Sequence, residues 1–253
     1  MKKILFLFVS VLVIVSCSTG KGVQGYSWEY HEIDSTYDHG KNLAAVNLIE
    51  SYSDVMGPML EIIGYSDHLA SKGFPESGLS NFAADVIRET AEQKTGQKID
   101  IGLTNFGGIR TDMPKGDVRV YDIFSIFPFE NRIVVATVKG SKLRGMIEKW
   151  AEKNRVEALS NVEIVIDNGK LKKCNVAGKP IENNRLYKLA TIDFLLEGGD
   201  GNRVKSISEK IDYTDILIRD AVVDYIKDKT SRGEVLDLKA DGRVKVIKDN
   251  NRR

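Results

Sequence analysis

The residues of this sequence best suited to binding chemistry sit in two glycine-rich runs. The first is Thr104-Asn105-Phe106-Gly107-Gly108-Ile109-Arg110. Adjacent glycines after a strand let the backbone come close to a ligand and aim N–H groups at it. Arg110 presents a fork that fits a phosphate, a carboxylate or ribose hydroxyls. The Asn105 amide both donates and accepts, as a ribose edge requires. The same residues also describe a tight turn with Arg110 on the surface. The second run is Glu197-Gly198-Gly199-Asp200-Gly201-Asn202. Three glycines in four positions demand unusual torsions, and Asp200 either meets a ligand or hydrogen-bonds within its own turn. Between the runs lies Ile126-Phe127-Pro128-Phe129-Glu130-Asn131. Phe129 follows a proline, either as an exposed ring that stacks on a base or as a core residue where a strand begins.

Hydrolytic chemistry finds no support in these residue types. A two-metal site needs several His and carboxylates around ions roughly 3.5–4 Å apart. The three histidines, His31, His39 and His68, stand in no paired ligand spacing. His31 and His39 fall in a polar segment, and His68 follows Asp67 in a turn, where an exposed or capping role is the plain reading. No G-x-S-x-G, P-loop or G-x-G-x-x-G is present. No residue is assigned a catalytic role, and no cofactor is assigned to this chain.

The chain begins with Lys2-Lys3, an apolar run over residues 4–15, and Ser16-Cys17. This is the layout of a secretory signal over residues 1–16. It ends either at a small-residue cleavage site or at a lipobox that acylates Cys17, the second being the expectation. The several acyl chains of a bacterial lipoprotein would anchor it firmly, where one chain would not. Ser18 behind the cysteine suggests the outer membrane, facing the periplasm, by analogy with other lipoproteins. The chain has 37 basic and 36 acidic residues; losing Lys2 and Lys3 leaves 35 against 36. Such a balance excludes nucleic acid as a partner, since that requires a cluster of unpaired Lys and Arg. With Cys17 acylated, Cys174 has no partner for a disulfide. It reads as a small apolar filler in a strand rather than as a reactive thiol.

These runs need elements to hold them. Residues 17–41 read as a polar, lipidated tether. Leu43, Val46, Leu48, Tyr52, Val55, Met56, Leu60 and Ile63 recur at helical spacing. A second helix starts near Ser77 with Leu79, Phe82, Ala83, Val86 and Ile87 on one face. Further helices are expected over residues 122–127, 143–151 and 216–229. Strands are expected over residues 99–104, 131–139, 162–166, 171–176, 186–192 and 243–247, with Asp167-Asn168-Gly169 as a hairpin turn. Strands and helices mix without a strict βαβ rhythm, so the fold class is α+β, a single mixed-sheet domain over residues 42–250 preceded by a long helix.

Taken together and in order, several motifs resemble the C-terminal domain of the 5′-nucleotidase family. They are Glu76-Ser77-Gly78-Leu79-Ser80-Asn81-Phe82-Ala83-Ala84-Asp85, Asn105 to Arg110, Gly116, Phe127-Pro128-Phe129-Glu130-Asn131, Lys139-Gly140-Ser141-Lys142-Leu143, Tyr187-Lys188-Leu189-Ala190-Thr191, Gly198 to Gly201, and Asp241-Gly242-Arg243-Val244. The resemblance implies a domain that binds the nucleoside part of a substrate, with a metallophosphatase domain holding two metals and cleaving the phosphoester. It implies Asn105 and Arg110 on the ribose and phosphate side and Gly107 and Gly108 giving close backbone approach. Phe129 would be one face of a base slot, with Asn131, Gly199 and Asp200 around it. The family's second stacking face is expected after Gly201, where an aromatic is usual and Asn202 stands here. An arginine found in the family before Glu76 is replaced by Gly73-Phe74-Pro75. The resemblance does not extend to a metallophosphatase domain. Divalent metals and hydrolysis are therefore expected from a separately encoded metallophosphatase partner, with a nucleotide or nucleoside as the small-molecule ligand. The rival expectations are a stand-alone nucleotide-binding lipoprotein with no catalytic role, and a domain kept only as an interaction surface.

Overall fold

The computed structural model describes residues 27–30 and 43–247. The signal segment, the lipidation site Cys17, most of the tether, His31 and His39 lie outside the described residues. The chain divides into two units, Met1–Ser51 and Tyr52–Arg253. In the first, residues 27–30 have no regular structure, and α1 (Leu43–Ser51) buries none of its residues.

In the second unit the expected long helical stripe does not continue to Ile63. A short turn (Ser53–Met56) passes into a 3₁₀ turn (Gly57–Leu60) with Pro58 at its start. The chain then extends as β1 (Ile62–Ser66). Proline fixes φ and lacks an N–H, so it suits the first turn of a helix and not the interior of one. Ile63 is buried on β1, at the irregularity in its antiparallel pairing with β3 (Gly116–Arg119), and not as a helical rung.

The strands divide among three sheets. The central sheet has the order β10-β4-β9-β2-β5. Its members are β10 (Ser208–Leu217), β4 (Arg132–Lys139), β9 (Leu186–Ile192), β2 (Ile101–Thr104) and β5 (Ala158–Ser160). β2 and β9 run parallel and the remaining pairs antiparallel. A second sheet has the order β11-β6-β7-β8, from β6 (Val162–Asp167), β7 (Lys170–Val176), β8 (Lys179–Pro180) and β11 (Val244–Ile247). The Asp167-Asn168-Gly169 turn joins β6 to β7, with Asn168 and Gly169 at positive φ as such hairpin turns require. The architecture is α+β.

Helix α2 (Gly78–Thr95) covers the central sheet. Its first turn is closed reciprocally: Ser77 Oγ accepts from the Ser80 N–H and Ser80 Oγ from the Ser77 N–H, at 3.2 and 2.8 Å. Gly96 ends it in the left-handed region. Leu79, Ala83, Val86 and Ile87 are fully buried against β2 and β5. Burial of such side chains contributes about 1.5–3 kcal/mol each. Helices α3 (Val120–Ile126), α4 (Gly140–Glu152) and α5 (Ile218–Ser231) complete the frame. A partly buried ion-pair cluster ties α2 to the residue just before β11. The Arg243 guanidinium forks onto Asp85 at 2.7 and 3.0 Å and reaches the Leu159 carbonyl at 3.1 Å.

Cys174 is buried in β7, and burial pushes its thiol up to about 11. His68 Nε2 lies 2.9 Å from the Leu238 carbonyl, so this ring pins a loop. Among the described residues no helix is long and apolar enough to cross a membrane.

Candidate functional site

Strand direction gathers the informative segments. β2 and β9 are parallel, with Ile101 beside Leu189, so residues 105–110 and 193–202 leave the sheet at the same edge. β4 is antiparallel to β9, with Ile133 opposite Ile192, so residues 127–131 arrive at that edge too. β10 ends there, and the first residue of α5, Ile218, donates its N–H to the Asn131 carbonyl at 3.0 Å.

The two glycine turns touch. Asn105 is buried, and its Nδ2 donates to Asp200 Oδ2 at 2.5 Å. A Cβ on Gly108 would stand 2.7 Å from Asn105 Oδ1, a contact real side chains do not make. The Asn105 side chain folded back over its own turn is what excludes a side chain there. Asp200 itself holds φ 52°, in the left-handed region where Asp is tolerated better than most residues. Asn105 Oδ1 is buried with no hydrogen-bond partner, an arrangement that costs about 1–3 kcal/mol until something donates to it.

A polar chain behind the turns fixes their spacing. Asn202 is 2 % exposed. Its Oδ1 accepts from Trp150 Nε1 at 2.9 Å and its Nδ2 donates to Glu157 Oε1 at 3.5 Å. Glu157, also buried, takes a backbone hydrogen bond from Phe106 in the first turn. Desolvation holds its carboxyl above the ordinary 4.5, partly offset by the Asn202 amide. Asn202, expected among the substrate-binding residues, is instead turned inward. Its amide is used inside the protein, clamping one turn to α4 and, through Glu157, to the other.

A second half-exposed ring lies beside the second glycine turn. Phe194 is 44 % exposed, and its ring lies so close over Gly199 that a Cβ on that glycine would stand 2.4 Å from it. Phe129, 46 % exposed, lies under the Arg110 guanidinium, 5.8 Å from ring centroid to Cζ. Among the described residues the Arg110 side chain is otherwise held only by a long bond to the Gly107 carbonyl, 3.4 Å. Lys72 Nζ donates to the Ile109 carbonyl at 2.7 Å. This brings a second cation to the turn, although residues 73–75 carry no arginine. Asn131 shares with Thr104, Gly108, Phe127, Phe129 and Ile192 a crevice of about 10 Å³. That is room for about one water.

The structure therefore brings Asn105, Gly107, Gly108, Arg110, Phe129, Asn131, Gly199 and Asp200 to one edge and turns Asn202 inward. Sequence reasoning missed Glu157, Trp150, Phe194 and Lys72. Phe194 could have been found by the argument used for Phe129, as a ring between a strand end and a glycine turn. Glu157 stands alone in the apolar run Val156-Glu157-Ala158-Leu159, the mark of a buried, satisfied polar group. Among the described residues no group of three or more His, Cys, Asp or Glu is placed to hold a metal ion.

The fold is α+β, and both glycine turns, Arg110 and two half-exposed rings stand at one edge of it. The chain belongs to the 5′-nucleotidase C-terminal domain family, whose profile matches residues 62–207. Protein UshA of Yersinia enterocolitica is 31% identical over 106 residues, covering 40% of this chain and 19% of UshA. The trifunctional nucleotide phosphoesterase protein YfkN of Bacillus subtilis is 27% identical over 221 residues, covering 74% of this chain and 14% of YfkN. The 5′-nucleotidase precursor of Thermus thermophilus shares the fold, with a TM-score of 0.69 at 22% identity over 81% of this chain and 43% of that one. The chain spans less than half the length of each of these proteins.

Proposed function

We propose that this chain is the nucleotide-recognition component of a 5′-nucleotidase-type phosphoester hydrolase in nucleotide breakdown, acting with a separately encoded metallophosphatase. The observation that carries the reading is the meeting of both glycine turns, through Asn105 and Asp200, beside Arg110 and two half-exposed rings. In this reading the base lies on Phe129 and Phe194, with Asn131 at its edge. A ribose hydroxyl donates to Asn105 Oδ1 and another meets Asp200. Arg110 leaves its ring to fork onto the phosphate. The family's divalent metals do not fit the donor set of the described residues, so no bond-breaking step is assigned here. Cys17, acylated, would anchor the chain to the outer membrane on its periplasmic side.

Calorimetry with AMP, adenosine and UDP-glucose tests recognition. Micromolar binding is expected, with Arg110→Ala weakening AMP more than adenosine; an unchanged AMP affinity removes Arg110 from the site. Mixing the chain with the metallophosphatase should raise turnover on nucleoside monophosphates. Binding with no gain on mixing points instead to a stand-alone nucleotide-binding lipoprotein. Loss of palmitate labelling in Cys17→Ser tests the anchor.

A further inference from the structure

A second concave surface shares the Asp200–Asn202 wall with the edge described above. It encloses about 510 Å³, within the range of small-molecule sites. Lys142, Lys149, Lys153, Arg155 and Arg203 line it, and all five are exposed. None of them has an ion-pair partner among the described residues. Some cations elsewhere are paired, as in Lys173 with Glu163, Lys205 with Glu197 and Lys227 with Glu61. The whole chain has a net charge of only +1, whereas five cations against two carboxyls, Asp200 and Glu157, line this one cavity, a local excess of positive charge.

Helix α4 produces that excess. Lys142, Met146, Lys149 and Lys153 recur at three- and four-residue steps and so share one face. The acidic residues of the helix, Glu148 and Glu152, do not line the cavity. Two carboxyls do line it, Asp200 and Glu157. Asp200 accepts from Asn105, while Glu157 is buried behind Asn202 and feels the charge of Arg155. Met146 and the half-buried Trp150 add apolar wall, and Gly145 leaves the space in front of it open.

Five cations brought together repel one another unless an anion joins them. Two arginines and three lysines, in a cavity with an aromatic wall, suit an ion with several negative oxygens. A concave site favours a soluble ligand over a flat lipid surface. We propose that this cavity is a second, separate anion site that takes a polyphosphate or a multiply phosphorylated small molecule.

Inorganic tripolyphosphate is the probe, titrated into the full-length chain by calorimetry at low salt. Binding is expected, at least tenfold weaker in Lys149→Glu/Lys153→Glu and unchanged in Arg110→Ala. Arg155→Glu/Arg203→Glu, reversed on other elements, should lose it likewise if the helix variant folds poorly. Absence of binding, indifference to both reversals, or equal loss in Arg110→Ala overturns the proposal; the last places the anion at the glycine turns. In sedimentation with phosphatidylglycerol vesicles, the Cys17→Ser chain should show no dependence on Lys149 and Lys153. Vesicle binding that those reversals abolish would overturn the soluble-ligand reading.

Discussion

Asn202→Ala separates a residue that touches ligand from one that holds the site together. Truncation leaves the Trp150 indole N–H, now bonded at 2.9 Å, without a partner in a half-buried position. An orphaned donor of this kind costs about 1–2 kcal/mol. It also removes a donor from the buried Glu157 carboxylate. At 3.5 Å that bond is long, so its loss adds only about 1 kcal/mol, below the usual span for bonds to charged groups. The total is about 2–3 kcal/mol. For a domain of this size a kilocalorie moves Tm by about 2–4 °C, so the midpoint should fall by about 4–12 °C. Thermal melts by circular dichroism and urea titrations measure it, with m unchanged if only the native state is affected. Asn202→Phe should be worse, because a ring cannot enter the space of a buried amide without displacing Trp150. A loss below about 0.5 kcal/mol, together with markedly weaker or tighter nucleotide binding, would refute the clamp and return Asn202 to the ligand.

Three further outcomes follow from the same geometry. Phe194→Ala should weaken binding of AMP by about 1–3 kcal/mol, roughly five- to 150-fold, with little change in Tm, since the ring is half exposed; calorimetry beside Phe129→Ala shows whether both rings hold the base. Asp85→Ala should cost about 1–3 kcal/mol in urea, because the 15 % exposed Arg243 side chain loses its fork onto Asp85 while keeping Asp241. Glu157→Gln carries a pH signature. A carboxyl raised above 4.5 by burial favours the fold while protonated, and that contribution is lost as pH rises through its folded value. The Tm of the variant minus that of wild type should therefore grow as pH is raised from below 4.5; a difference independent of pH would mean that Glu157 is not held above its ordinary range.

Local sequence determined a good deal. Glycine pairs, a proline before Phe129 and β-branched runs are short-range signals, so the two turns and strands such as β4, β6, β7 and β9 were legible from neighbouring residues. So was α2, from its cap and apolar face. β10 was not, and the helix expected from residue 216 in fact starts at Ile218. The reason is that Ser208–Leu217 alternates weakly and is stabilised mainly by pairing along β4. Only tertiary structure decided which side chains face the edge. Asn202 and Phe194 stand eight residues apart around the same turn, and torsions near Gly198, Asp200 and Gly201 turn the amide inward onto Trp150 while the ring lies over Gly199. Spacing identifies a turn, but the direction a side chain takes from it depends on partners distant in sequence: Glu157 and Trp150 for the amide, and the parallel pairing of β2 with β9 that makes the two turns neighbours.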